Sequence, residues 1–150
     1  MELKIIPVVQ VIIAMILMTM IQTTMPSFAY TMLFSTYLAS SLTLIGVTIG
    51  ILAIYCFRKH QTTVNPTKPE SSSKVVNSGI YHYSRNPMYL AMLLALIAYG
   101  FYLENLLTFL VCVVFIWYIS KYQITPEERI LNELFGQEYQ SYCKQVRRWI

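Results

Sequence analysis

The chain has 150 residues, 56% of them hydrophobic and 12% charged, with a formal charge of +4. One domain suits that length, and the charged share is well below the roughly 25% of a soluble fold. The charges are also segregated: no Lys, Arg, Asp or Glu lies between Ile5 and Phe57, between Asn86 and Leu103, or between Asn105 and Ser120. This pattern excludes a soluble domain and predicts an all-α polytopic membrane protein. The positive charge reads as anchoring, and nothing points to nucleic acid.

The first apolar run, roughly Ile5 to Gln22, is longer than the core of a signal peptide and has no clear small-residue cleavage site after it, so it is expected to be retained. Pro7 is tolerable in its first turn. An uncharged connection, Thr23 to Ser27 with Pro26, leads to a second helix, clearest from Leu38 to Phe57. In that helix Gly46 and Gly50 form a small-xxx-small pattern that allows close helix approach in lipid. The pattern is read first as helix packing, and it also permits homo-oligomers. Arg58-Lys59-His60 ends the helix at an interface.

A polar loop follows from Gln61 to Asn77, with Pro66, Pro69 and Ser71-Ser72-Ser73. Pro87 to Leu103 is the third apolar helix, Glu104-Asn105 a tight turn, and Leu106 to Ser120 the return. At 1.5 Å per residue both arms are short for a bilayer core of about 30 Å. The tail, residues 121–150, is expected to be helical and cytoplasmic or interfacial. Its apolar faces are Ile130, Leu131, Leu134 and Phe135, then Tyr139, Tyr142, Cys143 and Val146, with a stop or bend at Gly136. Trp149 suits the headgroup layer.

Basic residues set the orientation. Lys4 precedes the first helix. Arg58, Lys59, Lys68, Lys74 and Arg85 lie in the central loop, and Lys121, Arg129, Lys144, Arg147 and Arg148 follow the last apolar run; these are all 11. Four spans with both termini and the central loop in the cytoplasm follow from that asymmetry. The expected organisation is one domain: two N-terminal spans to residue 57, a loop over 58–86, a hairpin over 87–120 and the tail. Cys56, Cys112 and Cys143 match no metal spacing and no disulfide framework.

Two polar stretches carry the candidate chemistry. Ser78 to Leu90 enters the third helix, and Thr125-Pro126-Glu127-Glu128-Arg129 follows the fourth; they read as two walls of one site. The plain reading is structural. Asn86 is an N-cap with Pro87 at the first helical position, and Thr125 is an N-cap with Pro126 at the first position and Glu128 closing a capping box. Three features go beyond caps. Two helix N-termini on one side of the membrane would present free N–H groups to an anion. Glu127 is left unassigned by the capping box. Tyr81, His82, Tyr83 and Tyr89 crowd the other wall, where aromatic faces attract cations. A ligand with a carboxylate, an amino group, hydroxyls and a positive centre would suit such a site, and these residues by themselves do not select one.

Gly79-Ile80-Tyr81, Arg85-Asn86-Pro87-Met88-Tyr89, Glu127-Glu128-Arg129, Leu134-Phe135-Gly136-Gln137-Glu138-Tyr139 and Tyr142, in this order, resemble the isoprenylcysteine carboxyl methyltransferase and phospholipid methyltransferase superfamily. The resemblance covers roughly residues 62–150. It implies an integral membrane methyltransferase using S-adenosylmethionine. The implied cofactor site is Tyr81, Asn86, Pro87, Met88, Tyr89 and Glu127, with further contacts at Ser73, Lys74, Val75 and Val76.

Two departures matter. The family tetrad usually begins with His where this chain has Asn86. The isoprenylcysteine enzymes also carry a substrate-binding Arg where this chain has Gln123, and a neutral amide grips a carboxylate poorly. The expected acceptor is therefore a lipid or other lipophilic molecule, with a phosphatidylethanolamine-type N-methyltransferase as an alternative and a non-catalytic membrane protein as the rival class. His82 is the nearest imidazole for an acceptor that needs a base, though an interfacial packing or solvation role is the plainer reading; His60 reads as a loop residue. A minimal chain of this kind suggests the bacterial inner membrane.

Overall fold

The computed structural model describes residues 6–59 and 74–150. His60 and the polar loop as far as Ser73 lie outside them, as does Lys4. Six α-helices account for most of the described residues, and no strand is present among them. They are α1 (Pro7–Thr24), α2 (Ser35–Lys59), α3 (Pro87–Leu103), α4 (Thr108–Ile119), α5 (Thr125–Phe135) and α6 (Gln137–Gln145). Residues Ser120–Ile124 form a π-helical turn, so α4 runs through it into α5 as one helix, Thr108–Phe135, of 28 residues. Three helices, α1, α2 and this long one, are long and apolar enough to cross a membrane; α3 is apolar but has 17 residues.

The long helix corrects the expected break near Ser120. Ile124, the residue before α5, has helical dihedrals, and Thr125 makes no N-cap. Its Oγ1 donates instead to the carbonyl of Ser120 at 2.8 Å. A π turn loosens the backbone ladder by one residue, and the Thr125 hydroxyl reaches back into that turn. Pro126, which cannot donate, sits directly behind it. The second helix N-terminus expected to face an anion is therefore absent.

Helix packing follows residue size. Gly46 is buried against α3, and a Cβ there would lie 3.2 Å from the Ala91 carbonyl oxygen and 3.3 Å from Leu94 Cβ. Gly50 is looser, with Ala91 Cβ at 3.6 Å. The small-residue face expected to leave room for oligomers is thus occupied by α3 of the same chain. In lipid, such close packing and interhelical hydrogen bonds take over from the hydrophobic effect. Ser35 Oγ donates to the Phe101 carbonyl across the same pair. Thr19 Oγ1 and the Tyr99 hydroxyl join α1 to α3 at 2.7 Å. The main core draws Ala14 and Met18 from α1, Tyr89, Leu93 and Leu96 from α3, and Cys112, Phe115 and Ile119 from α4. All three cysteines are free thiols.

The two ends of the bundle are built differently. At one end, α3 stops at Glu104, which has φ 51°, and Asn105 is fully buried. Its Nδ2 donates to the Met25 carbonyl at 3.0 Å, and its Oδ1 accepts from the Leu107 N–H at 3.0 Å. The Leu106 N–H donates to the Phe28 carbonyl and the Tyr30 N–H to that of Glu104. The α1–α2 connection is thereby stitched to the α3–α4 turn. The opposite end gathers residues 74–87, the π turn and the tail.

Candidate functional site

Gly79 sets the entrance to the site. Its φ is +60°, and a Cβ there would stand 2.8 Å from Cys56 Sγ, so only glycine lets this chain turn against α2. The short 3-10 turn Gly79–His82 then buries Tyr81 with Ala53, Cys56 and Val76, and Phe57, Ile80 and Met88 pack around them. The Phe57 and Tyr81 rings meet edge to face at 5.2 Å. The Tyr81 carbonyl accepts a 2.6 Å hydrogen bond from the Tyr142 hydroxyl of α6. Burial raises the pKa of both phenols, so Tyr142 keeps the proton that it donates.

Pro87 occupies the first position of α3, as the sequence predicts, but Asn86 does not cap the helix with its side chain. Its Nδ2 donates to the Arg148 carbonyl at 3.0 Å, and the Arg85 N–H donates to that of Arg147 at 3.0 Å. The returning tail offers carbonyls that need donors, and Asn86 supplies one. Trp149 packs, partly buried, against the main core.

One turn into α3, the Tyr89 hydroxyl donates to Glu127 Oε1 at 2.5 Å. Gln123 Nε2 donates to the same oxygen at 2.6 Å. The π turn makes this possible. Within it Gln123 and Ile124 are both buried, Gln123 at 1% exposure, with Glu127 four residues on from Gln123. One residue rotates the downstream helix by roughly 100°, enough to move Glu127 between facing α3 and facing away. Glu127 lies beyond the apolar run, which ends at Ser120. Burial raises its carboxyl pKa to about 7, against the lowering effect of the Tyr89 and Gln123 hydrogen bonds.

Glu128, expected to close a capping box, points elsewhere. It pairs with Arg85 at 3.2 Å and with both Nε and Nη2 of Arg148. Arg85 also donates to Cys143 Sγ. The adjacent carboxylates therefore divide: Glu127 turns to α3, and Glu128 ties the α3 entrance to the tail. Sequence alone assigns Arg85 and Arg148 no role here, because their partnership depends on a fold-back across some 60 residues.

Of the residues anticipated for a cofactor, Tyr89 and Glu127 are in direct contact. Asn86 and Pro87 border them, and Tyr81, Met88 and Val76 form the packed layer beside them. Val75 packs on the tail cluster of Tyr139, Tyr142 and Val146, and Lys74 is exposed. His82 and Tyr83 do not join the wall. Both are exposed, with Tyr83 at 72%, and their rings meet each other edge to face at 5.7 Å. Leu131 and Phe135 face the tail cluster as their periodicity predicts, whereas Leu134 points outward. Gly136, at φ 50°, makes the anticipated bend between α5 and α6.

Residues 34–138 match the model of the phospholipid methyltransferase family. The chain belongs to that family. Among curated proteins it is similar to the protein-S-isoprenylcysteine O-methyltransferase of Saccharomyces cerevisiae, 29% identical over 111 residues, which are 74% of this chain and 46% of the relative. It is also similar to that of Schizosaccharomyces pombe, 28% identical over 123 residues, 81% of this chain and 52% of the relative. An uncharacterized protein of Haemophilus influenzae is 44% identical over 63 residues, 42% of this chain and all of the relative. The chain spans about half the length of the two yeast enzymes. No solved structure is significantly similar to it. Membership of the isoprenylcysteine and phospholipid methyltransferase superfamily makes this an integral membrane protein of a methyltransferase family. The matched region contains α2, α3, α4 and the Tyr89–Glu127 contact.

Proposed function

We propose that this phospholipid methyltransferase family member transfers a methyl group from S-adenosylmethionine to a lipid or other lipophilic acceptor. The observation that carries the reading is the Tyr89–Glu127 hydrogen bond. It brings together the two polar stretches whose motifs resemble the superfamily, 38 residues apart in sequence. The donor set suits the cofactor. Glu127 is a largely buried carboxylate able to accept from an ammonium or hydroxyl group, flanked by Asn86 and by the packed layer of Tyr81, Met88 and Val76. In this reading those residues and Pro87 form the cofactor wall, with Lys74 and Val75 at its margin.

S-adenosylmethionine supplies an electrophilic methyl on sulfur, and an in-line displacement needs mainly alignment of the two reactants. The chain contributes orientation: Glu127, held by Tyr89 and Gln123, is a fixed acceptor for the cofactor. Gln123 is engaged by Glu127, which suits an acceptor without a carboxylate better than a prenylcysteine. An amine of the phosphatidylethanolamine type is consistent with this and with the family's own description.

The proposed arrangement is one domain with four spans, α3 being the shortest. Both termini, the central loop and α5–α6 lie in the cytoplasm, and the membrane is the bacterial inner membrane. The test is calorimetric binding of S-adenosylmethionine to detergent-purified protein, wild type beside Glu127→Gln. Binding that weakens in the variant, at unchanged melting temperature, supports the reading. A well-folded wild type that binds none overturns it in favour of a non-catalytic membrane protein.

A further inference from the structure

The side of the long helix turned away from α3 carries a second feature. An open groove of about 450 Å³ runs along it, with Val113, Ile116 and Trp117 at one end and Lys121, Thr125 and Arg148 at the other. Val113 and Trp117 are exposed, whereas Cys112, Phe115 and Ile119 on the opposite face are buried. From Val113 to Lys121 the helix rises roughly 12 Å, within the roughly 15 Å that one leaflet contributes to the bilayer core. The groove is therefore apolar where acyl chains lie and cationic where headgroups begin.

Charge decides what the polar end accepts. Lys121 Nζ sits over the rings of Trp117 at 5.2 Å and Tyr122 at 5.5 Å, which fixes the ammonium at the rim. The neighbouring carboxylate is Glu128, already shared by Arg148 and Arg85. Glu127 faces α3 on the other side. The rim thus carries an excess of positive charge.

We propose that this groove holds one anionic phospholipid. An acyl chain lies along Val113, Ile116 and Trp117, and the phosphate sits between Lys121 and Arg148. This lipid is a bound companion and not the methyl acceptor, because the Tyr89–Glu127 contact is on the opposite face of the helix. The proposal does not depend on the methyl-transfer reading.

The chain has two tryptophans, Trp117 and Trp149. In Trp149→Phe protein, Trp117 alone reports, and reconstitution into bilayers containing acyl-brominated phosphatidylglycerol or phosphatidylcholine measures which lipid sits beside it. Phosphatidylglycerol is expected to reach half-quenching at a mole fraction about fivefold lower than phosphatidylcholine, the preference that one basic residue contributes near an anionic headgroup. Lys121→Gln should remove most of that preference. Equal quenching by the two lipids overturns the proposal and leaves an ordinary lipid-facing surface. A preference that survives Lys121→Gln also overturns it. Quenching by neither lipid indicates that protein covers the groove, with the same consequence. Should Trp149→Phe fail to fold, the difference between wild type and Trp117→Phe isolates the same signal.

Discussion

Tyr89 donates to Glu127 at 2.5 Å from the first turn of α3 to a helix that has just passed through a π turn. Gln123 completes the grip on the same oxygen. Hydrogen bonds to a charged acceptor contribute about 1.5–3 kcal/mol each. Tyr89→Phe keeps the ring in the core and removes only the hydroxyl. It should weaken S-adenosylmethionine binding about tenfold, measured by calorimetry, while the helical circular dichroism stays that of wild type.

Gln123→Met retains volume and removes the amide. Glu127 then keeps one of its two donors, so its ionised form is less stabilised. Cofactor affinity at pH 7 should fall about five- to tenfold, and the pH at which binding is half-maximal should rise. An unchanged half-maximal pH in this variant would show that Gln123 does not hold the carboxylate.

Glu127 should also leave a mark on stability. Its carboxyl pKa rises from 4.5 to about 7 on folding. The folded state therefore holds the proton more tightly than the unfolded state. That contribution is fully present below about pH 4.5 and is lost as pH rises through about 7. Its size is on the order of 3 kcal/mol. Thermal unfolding in detergent should show a lower melting temperature at pH 8 than at pH 5.5, and Glu127→Gln should flatten the difference. Ligand binding runs the other way, improving as the carboxylate ionises.

Gly79 and Cys56 form a second testable pair. Gly79→Ala meets a left-handed backbone costing about 1–2 kcal/mol and a Cβ position 2.8 Å from Cys56 Sγ. Cys56→Ala in the same chain relieves the contact but not the backbone cost. The double variant should recover part of the lost stability, and a denaturation cycle measures how much. Purely additive losses would show that the sulfur contact carries no energy.

The two glycines of α2 should behave differently. Gly46→Ala drives a methyl against the Ala91 carbonyl and should destabilise the α2–α3 pair by about 1–3 kcal/mol. Gly50→Ala has ordinary van der Waals room and gains helix propensity, so it should be neutral or stabilising by up to about 1 kcal/mol. Melting temperatures of the two variants, compared side by side, decide this.

Much of the protein is dictated by patterns local in sequence. Uncharged runs specify apolar helices because backbone polar groups in lipid must bond within their own segment. Thus α3 is legible to the residue from Asn86-Pro87 and Glu104, and α1 and α2 to within two or three residues. The pairing of Tyr89 with Glu127 is foreshadowed, since each lies in a polar stretch beside an apolar run. Tertiary structure decided how competing local options resolve. Thr125-Pro126-Glu127-Glu128 has every mark of a helix start, yet α4 continues through it, because the Thr125 hydroxyl and a π turn accommodate the proline. Asn86 has every mark of a cap, yet its amide is taken by the Arg148 carbonyl. The second outcome depends on the tail folding back some 60 residues to bring Arg147 and Arg148 against Arg85 and Asn86. Hydrogen-bond donors go to whatever acceptor packing places nearest, and residue spacing alone does not specify that neighbour.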